Sequence, residues 1–232
     1  MDHDYGFAPN PFHGVISLAT CKGLQLRNNG NLEIGDWVIG LGSVAMGNLG
    51  KIIYAMQVEE KLTFDEYWED PRFQNKKPVI NGSLVQMYGD NVYHTVDGKV
   101  VQEYCAHSLK GGGVNKDHLQ RDSDGKFVLL SQRFYYFGDK CPEIPKEFAY
   151  IDNNSRSTKF WDLYGEDVKI NAFVAWLEEN YTIGIHGDPC NWKEYNLPKM
   201  DIYEVGCKVS RSYSIRLSLV LPSCRQPCCQ AG

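Results

Sequence analysis

Short runs of β-branched and aromatic residues, separated by turn residues, recur along the first two thirds of the chain. Residues 15–19, 37–41 and 51–58 are apolar runs bounded by glycine or asparagine, a pattern typical of buried strands. Residues 127–137 form a longer run without glycine or proline and predict one continuous strand. The pattern therefore predicts a chain dominated by strands.

Helical patterns are fewer. Thr63 and Glu66 have the spacing of a capping box and predict a short helix over residues 64–68. Residues 171–181 carry apolar side chains at helical spacing and predict an amphipathic helix. The fold class predicted from these elements is α+β, mostly β.

Residues 81–125 form a long polar insert rich in Gly, Asn, Asp and His. Within it we expect two strands, over residues 84–88 and 100–104, on either side of a turn at residues 96–98. The apolar pattern weakens again after residue 208, so the end of the chain is not assigned a core element.

Composition is that of a folded protein, with 43% hydrophobic and 23% charged residues in 232. The net charge of −5 gives no overall basic field to attract a long duplex, so any nucleic-acid contact is expected to be local. Aromatic residues make up 12% and supply stacking surfaces. Because no long apolar run or signal pattern is present, we expect a soluble, cytoplasmic protein without membrane partners.

Several familiar kinds of site are missing from the sequence. It contains no phosphate-binding glycine loop, nucleophile elbow or zinc-deaminase signature, which lowers the expectation of an enzyme. The cysteines lack the paired short spacings of zinc ligands, so neither a metal nor a cofactor is predicted. Five scattered cysteines are interpreted as reduced thiols: Cys21, Cys105, Cys141, Cys190 and Cys207.

The polar insert carries the densest group of candidate site residues. Asn91 and Gln102 each offer a donor and an acceptor, which is what reading the edge of a base requires. His94 and His107 are candidates for acid–base chemistry, and Asp122 is a candidate to orient one of these histidines. Asp90 is a further ligand-binding candidate, with turn formation as the alternative.

Two further candidates lie outside the insert. His13 follows a stiff segment that contains Pro9 and Pro11, and either an acid–base role or a structural hydrogen bond suits it. Residues 134–137 are all aromatic and alternate between the two faces of their strand, and Tyr136 is the candidate for stacking on a base.

Five segments, at residues 4–13, 18–22, 35–43, 88–94 and 128–138, resemble in order the nucleotide modification associated domain 2 family. The resemblance covers about residues 4–150 and extends to about residue 198. It implies a domain over residues 1–198 and a C-terminal appendage over residues 199–232. It also implies association with systems that modify nucleic-acid bases, without supplying a reaction.

More distantly, the layout is similar to the small PUA-like barrels of the ASCH and EVE types. This similarity implies that the four strands predicted first lie in one curved sheet of a small β-barrel. It also implies a pocket in which Lys22 and Arg27 meet phosphate or carbonyl oxygens, although solvated loop cations would show the same pattern. Asp36, Trp37 and Ser43 belong to the strand that would line this pocket, with turn formation and core packing as the alternatives for Asp36 and Trp37.

Three functions remain open from the sequence. The leading hypothesis is binding of a modified base or nucleotide, free or within DNA or RNA, with Lys22, Arg27, Ser43, Asn91 and His94 converging on one surface. The alternative is a hydrolase or transferase acting on such a base, with His13, His94 or His107 as acid or base. The third is a scaffold in a base-modification or phage-related system. The oligomeric state is not predicted.

Overall fold

The computed structural model describes residues 1, 3–21, 32–151, 167–196 and 219–221. The strands in this part of the chain are β1 (Ile16–Leu18), β2 (Trp37–Leu41), β3 (Ile52–Gln57), β4 (Glu60–Leu62), β5 (Tyr93–Val96), β6 (Lys99–Gln102), β7 (Val128–Ser131), β8 (Phe134–Tyr136), β9 (Gly184–Ile185) and β10 (Leu219–Leu221). The α-helices are α1 (Phe64–Glu69), α2 (Leu84–Met87), α3 (Lys116–Ser123) and α4 (Asp167–Asn180). The 3₁₀ segments include Pro71–Lys76. The predicted α+β class with a majority of strands is confirmed.

The described strands form three sheets. One has the order β1-β7-β4, a second has the order β10-β2-β3-β8-β9, and β5 and β6 pair as a hairpin. All pairs are antiparallel except β8 with β9. The apolar side chains of the first two sheets pack against each other, as Leu18 and Leu129 of one share a buried cluster with Val38 and Ile53 of the other.

The expected single strand over residues 127–137 is wrong, because it divides into β7 and β8 in different sheets. The division has a side-chain cause. The Glu59 carboxylate accepts hydrogen bonds from the Ser131 hydroxyl (3.2 Å) and from the backbone N–H groups of Gln132 and Arg133. These groups therefore do not take part in strand pairing, and the chain bends between β7 and β8. The adjacent segment bends at the same place, between β3 and β4.

The prediction of one curved sheet is also wrong, although each of the strands exists. β1 and β7 belong to the three-stranded sheet, and β2, β3 and β8 belong to the five-stranded sheet. The described strands form no closed barrel. In the polar insert, the strand expected over residues 84–88 is helix α2, which Ser83 and Gln86 cap reciprocally. The turn at residues 96–98 is present and joins β5 to β6.

Helix α1 begins with the predicted capping box of Thr63 and Glu66. Helix α4 confirms the other predicted helix, and its Phe173 and Leu177 are fully buried with Trp37 and Tyr135 on the outer face of the five-stranded sheet. Strand β10 pairs with β2, so three residues of the expected appendage extend this sheet. Among the described residues, the helices are too short or too polar to cross a membrane.

Candidate functional site

A cysteine, a histidine and an aspartate from three distant parts of the sequence meet in the interior. The sulfur of Cys21 lies 3.2 Å from Nε2 of His107, and Nδ1 of His107 lies 2.8 Å from Oδ2 of Asp122. All three residues are buried. The imidazole ring thus lies between a thiol and a carboxylate, with one ring nitrogen toward each.

Local structure explains how each residue reaches this position. Cys21 follows the first strand with a φ of 51°, a value uncommon for residues other than glycine. Its backbone N–H donates to Oδ1 of Asp122 at 3.1 Å, so the same carboxylate that holds His107 also holds the cysteine backbone. Asp122 lies in the last turn of α3, whose first turn is capped by the side chain of Asn115.

The Asp122 carboxylate accepts two further hydrogen bonds. The Tyr93 hydroxyl donates to Oδ2 at 3.0 Å, and Nε of Arg121 donates to Oδ1 at 3.3 Å. Burial alone would raise the pKa of Asp122, but the charges of His107 and Arg121 and the hydrogen bonds from His107 and from the Cys21 backbone N–H hold that pKa well below its usual range. The carboxylate is therefore charged at neutral pH.

The pKa of His107 is also shifted toward the charged form, which for a histidine means upward. Burial lowers the pKa of its imidazole, but the negative charges of Cys21 and Asp122 outweigh burial and raise that pKa to about 9. A protonated imidazole between a thiolate and a carboxylate is the electrostatic arrangement that activates a cysteine as a nucleophile.

Two residues of α3 also lie close to the thiol or to His107. The guanidinium NH2 of Arg121 lies 4.0 Å from the sulfur of Cys21 and 3.3 Å from Nδ1 of His118. The His118 ring meets the His107 ring edge-on, with centroids 4.2 Å apart, and Phe7 meets His107 edge-on at 4.7 Å. A second cation therefore lies beside the sulfur, and aromatic rings enclose the imidazole.

The ligand atoms of Cys21, His107 and Asp122 lie within 4.8 Å of one another, a separation that could hold a metal ion. However, the two ring nitrogens of His107 point in opposite directions, one to the sulfur and one to the carboxylate. An ion at the sulfur would therefore meet only Nε2 of this ring, and Asp122 would remain hydrogen-bonded to Nδ1. The arrangement suits a proton relay better than a three-ligand metal centre.

Comparison with known proteins supplies the wider context. The pattern of the nucleotide modification associated domain 2 family matches residues 1–196, which include all three residues of the relay. The chain belongs to this family. No curated protein and no solved structure matches it.

Asp122 contacts a histidine of the insert, His107, in this member of the nucleotide modification associated domain 2 family, and the catalytic roles expected of the two residues stay predictions. Gln102, a predicted ligand-binding residue, contacts the relay indirectly, through the Tyr93 hydroxyl that donates to Asp122. Its Nε2 donates to the Tyr93 hydroxyl at 3.2 Å, and its Oε1 accepts from the backbone N–H of Asn115 at 2.9 Å. Gln102 therefore connects β6 to the start of α3.

Sequence reasoning missed Cys21 as a candidate functional residue. Its sequence context suggested only a reduced thiol, because its partners lie 86 and 101 positions away along the chain. One signal was present in the sequence, since Cys21 lies within the segment 18–22 that resembles the nucleotide modification associated domain 2 family.

Asp90 and Asn91 are fully enclosed. Asp90 accepts hydrogen bonds from the hydroxyls of Ser17 (2.7 Å) and Tyr67 (2.8 Å). The Asn91 amide donates to the backbone carbonyls of Tyr67 (2.8 Å) and Phe73 (3.2 Å). In this structure both side chains join parts of the protein together rather than face a surface.

The remaining predicted histidines lie elsewhere. His94 is half-buried, pairs with Glu103 at 2.8 Å and stacks on Trp68 with ring centroids 4.0 Å apart. His13 is exposed in a turn with a φ of 64°. Partial desolvation of its ring and the charge of Lys76 lower the pKa of His13.

The predicted residues of the sheet are buried in structural roles. Asp36 accepts from the backbone N–H of Glu33, and Trp37 packs in the core beneath α4. The Ser43 hydroxyl accepts from the backbone N–H of Met46 in a turn. Tyr136 is fully buried and donates its hydroxyl to the Asp4 carboxylate.

Lys22 and Arg27 lie outside the described residues, so the expected convergence of five residues on one surface stays a prediction. Of the three that are described, Ser43, Asn91 and His94 each contact different partners. The residues brought together by the fold are instead Cys21, His107 and Asp122.

Proposed function

We propose that this protein is a thiol-dependent hydrolase or transferase that acts on a base or nucleotide within a base-modification system. The observation that carries the proposal is the relay from Cys21 through His107 to Asp122. Membership of the nucleotide modification associated domain 2 family supports the class of substrate, and the relay supports the class of chemistry.

Each residue of the relay has a role that follows from its position. The Cys21 sulfur attacks an electrophilic carbon of the substrate and forms a C–S bond, while the bond from that carbon to the leaving group breaks. His107 gives its proton to the leaving group and then takes a proton from water or from a second acceptor molecule. The water or acceptor atom that loses this proton bonds to the substrate carbon, and the C–S bond breaks, which releases the product and returns the thiolate. Asp122 holds the imidazole in the orientation that both transfers need.

The substrate carbon must therefore carry a leaving group that gains a proton, such as an amine or an alcohol. Amide, ester and amidine groups attached to a base or nucleotide satisfy this condition.

The binding hypothesis receives less support from the geometry. Asn91 is fully buried, and Gln102 is engaged by Tyr93 and Asn115 within the protein. Reading a base edge with these two amides would require donors and acceptors that are not already paired within the protein. DNA, RNA and free nucleotides all remain within the proposed class of partner.

The experiment is a product screen by liquid chromatography and mass spectrometry over nucleosides and nucleotides that carry N-acyl, O-acyl or amidine groups. We expect turnover of at least one compound. Cys21→Ser and His107→Asn should each reduce that turnover by about 10²-fold or more. Cys141→Ser, a change of a half-buried thiol in another cluster, is the matched control and should retain it.

Ligand-dependent thermal stabilisation without any product would favour the binding hypothesis instead. Turnover that Cys21→Ser leaves intact would contradict the relay. Turnover that a chelator abolishes in the wild type would point to a metal centre at the same residues.

A further inference from the structure

His118 lies beside the relay but has no part in it. It belongs to the first turn of α3, four positions before Asp122, so the two side chains extend from the same face of the helix. The His118 residue is only 2% exposed, and its ring packs edge-on against that of His107 at 4.2 Å. His118 is therefore in contact with His107, the residue that contacts the Cys21 sulfur.

The hydrogen bond from Arg121 determines which nitrogen of His118 carries the proton. Arginine stays protonated and can only donate, so Nδ1 of His118 accepts from the Arg121 guanidinium at 3.3 Å. In the neutral ring the hydrogen is then on Nε2. Burial and the neighbouring charges of His107 and Arg121 lower the pKa of His118 to about 3, which keeps the ring neutral near pH 7.

The resulting N–H donor is unused. Nε2 of His118 is buried and has no hydrogen-bond partner among the described residues. A buried donor without a partner is destabilising, and its presence in a native protein requires an explanation. Because the His118 ring packs against that of His107, which contacts the Cys21 sulfur, the explanation that fits is an acceptor supplied by the substrate.

We propose that His118 donates its Nε2 hydrogen to the oxygen on the substrate carbon that Cys21 attacks, so that it acts as a catalytic residue. This role rests on the proposed function and narrows it. When the sulfur adds to a carbonyl carbon, negative charge develops on the carbonyl oxygen. A fixed neutral N–H donor stabilises that charge by a hydrogen bond and does not transfer its proton. An amidinium group presents only N–H donors and would leave Nε2 unpaired.

The substrate class indicated by His118 is therefore a carbonyl compound, an amide or ester attached to a base or nucleotide, rather than an amidine. His118 also has a different task from His107. The higher pKa of His107 suits it to transfer protons, whereas the low pKa of His118 suits it to donate a hydrogen bond while remaining neutral.

Two small reagents can separate these tasks in the full-length protein. p-Nitrophenyl acetate acetylates the Cys21 sulfur through an oxyanion and releases p-nitrophenolate. Methyl methanethiosulfonate converts the same thiolate to a methyl disulfide and releases methanesulfinate, with no oxyanion on the path. Peptide mapping by mass spectrometry assigns each modification to Cys21, and Cys21→Ser gives the background from other thiols.

We expect His118→Phe, which keeps a flat ring but removes the donor, to slow acetylation of Cys21 by about 10²–10³-fold. The reaction with the thiosulfonate should remain close to the wild-type rate. His118→Gln, which retains an N–H donor, should recover part of the acetylation rate. Circular dichroism of each variant verifies that the fold is intact.

The outcomes are distinguishable. Equal slowing of both reactions in His118→Phe would mean that His118 supports the thiolate, and would overturn the oxyanion role. An unchanged acetylation rate would overturn it as well. If the rate at which each reagent modifies Cys21 is no higher in the wild type than in His107→Asn, the proposed function itself fails, and the role of His118 fails with it.

Discussion

Lys76 provides a quantitative test of the structure, because its side chain is enclosed at the end of the 3₁₀ segment that follows α1. Only 1% of the residue is exposed. Its ammonium group donates to the Asn10 carbonyl (3.1 Å), to the Asn10 side-chain oxygen (2.8 Å) and to the Ser17 hydroxyl (2.9 Å). Ser17 in turn donates to Asp90, so Lys76 and Asp90 form a buried pair bridged by a hydroxyl.

Burial lowers the pKa of Lys76 to about 8, and the charge of Asp90 opposes this only in part. In the unfolded chain the lysine pKa is about 10.4, so the difference corresponds to about 3 kcal/mol. Between these two pKa values the unfolded chain keeps the proton and the folded protein has lost it. The contribution of Lys76 to the free energy of unfolding is therefore complete above about pH 10.4 and is lost as the pH falls through about 8.

The perturbation is Lys76→Met, and the assay is urea unfolding at intervals between pH 7.5 and 10.5. We expect the free energy of unfolding of the wild type, minus that of the variant, to rise by about 3 kcal/mol across this range. Subtraction removes the groups that titrate alike in both proteins. The double variant Lys76→Met/Asp90→Asn controls for a changed pKa of Asp90. A difference that stays flat with pH would refute the buried position of the ammonium group.

Three further predictions concern stability. Gly40→Ala should destabilise the protein by about 1–3 kcal/mol, because the new Cβ would lie 2.0 Å from the Tyr54 ring in the unrelaxed structure; a neutral result in thermal unfolding would contradict that packing. Tyr136→Phe should cost about 1–3 kcal/mol by denaturant unfolding, since it removes a donor from the buried carboxylate of Asp4, and unchanged stability would argue against this contact. Truncation after Cys207 should still give soluble, folded protein with only a modest loss from the missing β10, whereas loss of soluble expression would show that the tail is integral.

Much of the local structure could be predicted from the sequence. The apolar runs at β1, β2 and β3 are bounded by turn residues, and the capping box at Thr63 fixes the start of α1. In these elements the signal lies within a few neighbouring residues. Helix α2 was not predicted, although its cap, Ser83 with Gln86, has the same spacing, because Val85 and Tyr88 are residues that favour strands.

The arrangement of the sheets could not be predicted in the same way. The division between β7 and β8 depends on Glu59, which caps backbone groups more than 70 positions away. The local pattern of residues 127–137 contains no break, so a continuous strand was the natural expectation. The assumption of a barrel then placed all these strands in one sheet.

The candidate site was predictable only in part. His107 and Asp122 were selected because polar groups are concentrated in the insert, and their contact is present. Cys21 was not, because a single cysteine carries no signal until the fold brings a histidine to it. The side-chain amides of Asn91 and Gln102, which were expected to read a base, instead form hydrogen bonds to backbone groups within the protein, because buried polar backbone groups also need partners.

The central claim is that His107 activates Cys21 as a nucleophile. Its most direct test is the pH dependence of Cys21 alkylation by iodoacetamide, followed by peptide mapping in the wild type and in His107→Asn. We expect alkylation of wild-type Cys21 to begin at a lower pH than that of an ordinary thiol, with the half-maximal rate shifted upward by about one pH unit or more in the variant. Identical pH profiles for the two proteins would contradict it.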